Sequence, residues 1–145
     1  MDSIDRQGAW SFAAGPALAL PMNGASVRAG FPSPAEDADV KRQDLNELLI
    51  THPLATFFWR VRGTSMAQAG IGDGDILVVN RALEPKHGDI VVAEIDNDFT
   101  VKYLHRRAGR VKLVAADPTF PDIVLREGQT LVICGVVTGS IKRFR

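Results

Sequence analysis

Ser65 and Lys102 carry the chemistry that this sequence offers. Ser65 follows an alternating apolar run, Phe57-Phe58-Trp59-Arg60-Val61-Arg62, within Gly63-Thr64-Ser65-Met66. Lys102 lies inside a second alternating run, Phe99-Thr100-Val101-Lys102-Tyr103-Leu104. A serine hydroxyl attacks a peptide carbonyl once a base removes its proton. A free lysine, with a pKa of about 10.4, is charged at neutral pH and cannot do so. An apolar surrounding disfavours the ammonium and lowers that pKa. A drop of about three units corresponds to on the order of 4 kcal/mol, which requires a dry pocket. Phe99, Val101, Tyr103 and Leu104 are candidates to supply it, and Thr100 shares the strand face of Lys102 and could add a hydroxyl. The glycine before Thr64 lets backbone amides approach a developing oxyanion, so the Thr64 and Ser65 N–H groups are candidate donors.

Those residues need elements to hold them. After Pro53 the sequence reads as strands over residues 56–62, 75–80, 89–95, 99–105, 110–115 and 130–141, rich in Val, Ile and aromatics. Asp96-Asn97-Asp98 is a tight polar turn, so residues 89–105 read as a hairpin with Lys102 on its second strand. Gly70-Ile71-Gly72-Asp73-Gly74-Asp75, Lys86-His87-Gly88-Asp89 and Ala108-Gly109 punctuate the rest. No long helical pattern separates the strands, which argues against a parallel βαβ sheet. The fold class is mainly β: a compact, mostly antiparallel body with an extended N-terminal arm and a short helix. Residues 1–38 are dense in Gly and Pro without sustained periodicity and read as the arm. Leu45, Leu48 and Leu49 fall at helical spacing within residues 40–50, predicting a short amphipathic helix packed on the body and ended by Pro53.

Composition bounds the function. The chain has 145 residues, 46% of them hydrophobic and 23% charged, as in a soluble single domain with its own core. Its 17 basic and 17 acidic residues cancel, so total charge demands neither nucleic acid nor an anionic membrane. A lone cysteine, Cys134, excludes an intramolecular disulfide and fits the cytoplasm. Residues 13–22 are apolar and small. Asp2 and Asp5 precede them where a signal peptide is positive, and Gly15 and Pro16 interrupt them, so secretion is not expected.

Other patterns have plainer readings. Asp73-Gly74-Asp75 is a fragment of a calcium loop without its later ligands and reads as a turn entering a strand. His52, His87 and His105 have no metal-ligand spacing, and neither metal nor cofactor enters the reading. His105, Arg106, Arg107, Arg110 and Lys112 form a basic cluster around a turn, by default a solvated hairpin end. Direct DNA contact stays open there. Cys134 reads as a buried strand residue.

From residue 30 onward the sequence resembles the LexA/UmuD family of self-cleaving serine peptidases. The resemblance is carried by Gly30-Phe31-Pro32-Ser33-Pro34-Ala35, Asp44-Leu45-Asn46-Glu47-Leu48-Leu49-Ile50, Gly63-Thr64-Ser65-Met66, Gly72-Asp73-Gly74-Asp75-Ile76-Leu77, His87-Gly88-Asp89-Ile90-Val91 and Phe99-Thr100-Val101-Lys102. It implies Ser65 as nucleophile, Lys102 as general base and a self-cleavage site at Ala29–Gly30. Ala29 stands where some relatives use cysteine, and residues 1–28 show no resemblance. The implied layout is an arm of residues 1–29 removed by cleavage, a linker and short helix at 30–54, and a peptidase body at 55–145. The implied partners are a second copy in a homodimer, a RecA filament that stimulates cleavage, and a Y-family DNA polymerase subunit (UmuC-like). No membrane is implied. Two other readings stand beside this one. The first is a non-cleaving binding protein of the same fold, against which the intact Ser65 and Lys102 argue. The second is a LexA- or phage-type repressor, which needs a DNA-binding module that residues 1–29, rich in Gly and Pro, do not supply.

Overall fold

The computed structural model describes residues 15–32, 34 and 39–145. The first fourteen residues of the arm, Asp2 and Asp5 among them, and Ser33 and Ala35 of the Gly30–Ala35 motif lie outside the described residues. The chain divides into two compact units, residues 1–51 and 52–145.

The first unit adds a strand pair that the sequence did not signal. Ala19–Met22 (β1) pairs antiparallel with Lys41–Asp44 (β2), with Ala19 opposite Asp44 and Met22 opposite Lys41. Pro21 has no N–H to give, which an edge strand tolerates. The expected helix over 40–50 shrinks to Leu45–Leu49 (α1), because Asp44 caps it rather than entering it. The Asp44 Oδ1 accepts the Asn46 amide at 2.7 Å, and Oδ2 accepts the Leu18 amide at 3.0 Å. One buried carboxylate thus ends β2, starts α1 and anchors β1. Leu45 and Leu48, expected to pack on the body, are exposed.

The second unit is a seven-stranded sheet, antiparallel at every pairing. Its strands are Thr56–Arg60 (β3), Ile76–Asn80 (β4), Ile90–Ile95 (β5), Asp98–Arg107 (β6), Arg110–Val114 (β7), Ile123–Val124 (β8) and Leu131–Ile141 (β9). The spatial order is β3-β4-β9-β5-β6-β7-β8. Six of these strands match the alternation in the sequence to within a residue or two at each end. β8, two residues long, has no such signal.

Two hairpins flank β6. Asp96 and Asn97 turn at φ 49° and 69°, and Ala108 and Gly109 at φ 53° and 73°. Paired positive φ values suit the right-handed twist of the strands. β9 serves two neighbours: its first half pairs with β5 and its second with β4, with a register shift in each ladder. At the changeover a Cβ on Gly135 would lie 2.7 Å from Val79 Cγ1 and 3.1 Å from Asn80 O, so the close approach of β4 needs glycine.

Successive β5 residues feed different cores. Val92 packs with Val61, Met66, Ile71, Leu77 and Val79, and Val91 and Ala93 pack with Leu104, Leu113 and Val136. Cys134, expected to be buried, is partly buried against the first cluster. Among the described residues no helix is long and apolar enough to cross a membrane.

Candidate active site

Ser65 sits on a loop tied down by its neighbours. The Val61 amide donates to Asp75 O and the Gly74 amide to Val61 O, each at 2.8 Å, which clamps the loop's start to the turn before β4. Asp73 Oδ1 accepts the Gly63 amide at 2.7 Å, where Gly63 turns at φ 95°. Met66, 1% exposed, plugs the core directly after the serine. Its carbonyl accepts the Ile71 amide, and its sulfur accepts the Ala116 amide at 3.3 Å. The Ser65 carbonyl accepts the Asp117 amide at 3.1 Å. Hence Asp73 and Asp75, read as turn residues entering a strand, spend their carboxylates on loop architecture. Asp75 Oδ2 accepts the Gly72 amide at 2.7 Å and pairs with Lys142 at 2.6 Å. The Lys142 hydrogen bond and the Gly72 amide hold the Asp75 carboxyl below the usual range.

Lys102 comes from the middle of β6, where Val91 of β5 faces it. Its ammonium nitrogen lies 2.9 Å from Ser65 Oγ, 2.9 Å from Thr100 Oγ1 and 3.1 Å from Val101 O. The residue is 9% exposed, and no carboxylate among the described residues lies within ion-pair distance of it. Burial lowers its pKa from the ordinary lysine value. A neutral amine has two N–H donors and one lone pair. In the neutral form two N–H groups can serve Thr100 Oγ1 and Val101 O, which leaves the lone pair for the Ser65 hydroxyl. In that form the amine can act as a base toward the hydroxyl.

A cleft of about 320 Å³ opens beside the pair. Trp59 and Phe99, with ring centroids 4.8 Å apart, line it together with the apolar Met66, Leu77 and Val92. The sequence placed Phe99 and Val101 around Lys102, and both line the cleft. Tyr103 and Leu104 do not: Tyr103 packs on the first core cluster, and Leu104 belongs to the second. Leu77 and Val92 come from β4 and β5, outside the two segments that the sequence singled out around Ser65 and Lys102. The signal for Met66 was its place directly after the serine. The Thr64 and Ser65 amides have no protein acceptor among the described residues, whereas the Ala67 amide is spent on Thr64 O. Ala29 and Gly30 belong to the first unit, exposed on a bend in the segment joining β1 to β2.

A serine beside a buried lysine, set in an antiparallel β body, is an arrangement open to serine-peptidase chemistry. The Peptidase S24-like family matches residues 21–138. The chain is 47% identical over 126 residues to the protein ImpA of Salmonella typhimurium, covering 86% of this chain and 85% of that one. It is 45% identical over 116 residues to MucA of Escherichia coli, covering 79% of each. It is 40% identical over 125 residues to the LexA repressor of Cupriavidus taiwanensis, covering 86% of this chain but 57% of the repressor. The chain belongs to the S24-like peptidases, the LexA/UmuD family of self-cleaving serine peptidases. Within that family it is a UmuD-like protein of SOS mutagenesis.

Proposed function

We propose that Ser65 and Lys102 form the catalytic dyad of a self-directed peptidase whose substrate is the chain's own Ala29–Gly30 bond. The observation that carries this reading is the 2.9 Å contact between Lys102 Nζ and Ser65 Oγ at a site where burial lowers the lysine pKa. Neutral Lys102 takes the Ser65 proton as Oγ attacks the Ala29 carbonyl. The Thr64 and Ser65 amides, free of protein acceptors among the described residues, stabilise the oxyanion. The proton then passes to the departing Gly30 amine, and water releases Ala29 from the acyl-enzyme. Ala29 and Gly30 have small side chains and stand exposed, which suits entry of this stretch of backbone into a cleft beside Ser65.

In this reading a RecA filament stimulates the cut, and residues 30–145 persist as a homodimer that serves a Y-family polymerase as accessory subunit. Kinship with the UmuD-like proteins supports these partners. The test incubates purified chain with and without RecA, single-stranded DNA and nucleotide, from neutral to alkaline pH. Intact-mass analysis is expected to show a fragment beginning at Gly30. Below the lowered Lys102 pKa the rate should climb about tenfold per pH unit as neutral amine accumulates, then level off. Ser65→Ala and Lys102→Ala should leave the chain whole. A wild-type chain uncut in every condition would establish the non-cleaving alternative, and a fragment starting elsewhere would displace Ala29–Gly30.

A further inference from the structure

The far end of the β6–β7 hairpin carries a charged face that the peptidase site does not use. The register sets His105 opposite Lys112 and Arg107 opposite Arg110, so all four side chains share one face. Like charges directly opposed across strands destabilise a sheet. One acid tempers them: Asp122 Oδ2 lies 2.7 Å from Lys112 Nζ, in a pair more than a third exposed on both sides. Arg107 and Arg110 are exposed.

The loop before β5 adds His87 to this face. Its ring meets His105 edge-on, with centroids 4.8 Å apart, and its Nε2 lies 3.2 Å from Arg107 Nε. His87 Nδ1 lies 3.0 Å from the Arg106 amide, and a neutral ring accepts at one of these nitrogens at a time. The loop is pinned to β6 by the Gly88 amide on Leu104 O and the Leu104 amide on Asp89 O, each at 2.8 Å. The cations therefore stand on an ordered ribbon. Val124, opposite Lys112, is exposed beside them, and a single exposed valine is ordinary.

We infer that this face binds the phosphate backbone of a nucleic acid, with Arg107, Arg110 and Lys112 as the contacting cations and His105 as a fourth. A folded acidic protein fits less well, because specific protein interfaces centre on apolar and aromatic side chains that this face lacks. A phosphate chain needs closely spaced cations and little else. It also offsets the repulsion built into the opposed Arg107 and Arg110.

Binding is linked to pH through His105, which His87, Arg107 of its own strand, Lys112 of β7 and Asp122 before β8 all face. Burial, then the repulsion of His87, Lys112 and Arg107, lowers its pKa, with Asp122 opposing. An anion laid across the face favours the imidazolium, so complex formation takes up a proton and strengthens as pH falls.

The test uses the full chain carrying Ser65→Ala, so that cleavage plays no part, and a fluorescent single-stranded oligonucleotide of about 20 nucleotides read by anisotropy. Binding is expected at about 50 mM salt, with a slope of log affinity on log salt near −2 for three phosphate contacts. It should tighten as the pH falls through about 6.5 and below, since the His105 pKa lies under the ordinary histidine value. Arg107→Ala/Arg110→Ala should weaken it about tenfold or more and flatten the slope by about 1.4, while Arg107→Lys/Arg110→Lys restores most of both. Relieving an opposed pair of cations leaves the fold intact, which circular dichroism checks. Three outcomes overturn the inference: no binding at low salt, undiminished binding by the double alanine variant, or competition by poly-glutamate at equal potency. The last would assign the face to an acidic protein.

Discussion

Lys102 holds a position that is unfavourable for stability and needed for the proposed chemistry. Burial lowers its pKa in the folded chain below the value it has when unfolded. Between those two values the unfolded chain binds the extra proton, so folding stability rises with pH through that window. Below it the folded protein keeps a desolvated cation, and the penalty is fully present. A neutral side chain of similar length removes that penalty. In a Ser65→Ala background, Lys102→Met should therefore stabilise the chain by on the order of 1 kcal/mol at neutral pH. The gain should shrink as the pH approaches the lysine range, and in the wild-type background the same substitution should abolish cleavage. Denaturant titrations at two pH values measure this; equal loss of stability at both would show that burial of charge is not the cost Lys102 imposes. The pair itself was legible in the letters as a loop serine and a strand lysine, and Thr100 followed from period two along β6. Leu77 and Val92 were not, because what surrounds a side chain depends on contacts distant in sequence.

The serine loop illustrates what elements add. Three segments converge on it, and the most distant in sequence is the stretch after β7, whose Asp117 amide holds the Ser65 carbonyl. Asp117 Oδ1 in turn accepts the Thr119 amide at 2.9 Å and its hydroxyl at 2.7 Å, fixing the turn that aims that amide. Asp117 is thus a positioning residue. Asp117→Ala should slow self-cleavage about tenfold by loosening the nucleophile. Asp117→Asn keeps an acceptor oxygen and should stay near wild type. The pH midpoint should not move in either variant, because neither touches Lys102; rate–pH profiles from intact-mass assays separate this from general damage, which asparagine would not rescue.

Alternating Val, Ile and aromatic residues made six strands readable, and Asp96-Asn97 and Ala108-Gly109 made their turns readable. The insertion of β9 between β4 and β5 was not, since pairing order leaves no trace in the period. β1 and β2 were missed because Lys41-Arg42-Gln43-Asp44 is wholly polar and Pro21 reads as a breaker. One signal was available: Asp44 followed three residues later by Glu47 is a helix-start pattern that places the cap at 44, where the structure has it.

Both core clusters draw entirely on residues between Phe57 and Val137, so the β body carries its own stability. The first unit is a different kind of object. Leu18, Leu20 and Met22 around β1 are exposed, as are Leu45 and Leu48 of α1, and a two-stranded sheet of four paired positions is marginal by itself. The proposed cut at Ala29–Gly30 falls in the segment joining β1 to β2, so it would place the two strands on separate pieces. Before the cut, β1 stays on β2 because the connection makes pairing intramolecular. Afterwards it is held by a short ladder, the Arg42 guanidinium on Ala19 O at 3.1 Å and the Asp44 carboxylate on Leu18 N–H. We expect the fragment of residues 1–29 to leave without help, which would give the boundary at residue 30 a physical meaning. A chain expressed as residues 30–145 should melt within about 2 °C of the Ser65→Ala full-length chain, since its core is untouched. Amide exchange at residues 41–44 should accelerate to that of an open edge, while β4, β5 and β9 keep their protection. Co-elution of the cut fragment with the body on gel filtration, or a melting temperature lowered by about 10 °C, would mean that the arm belongs to the core and that cleavage alone does not release it.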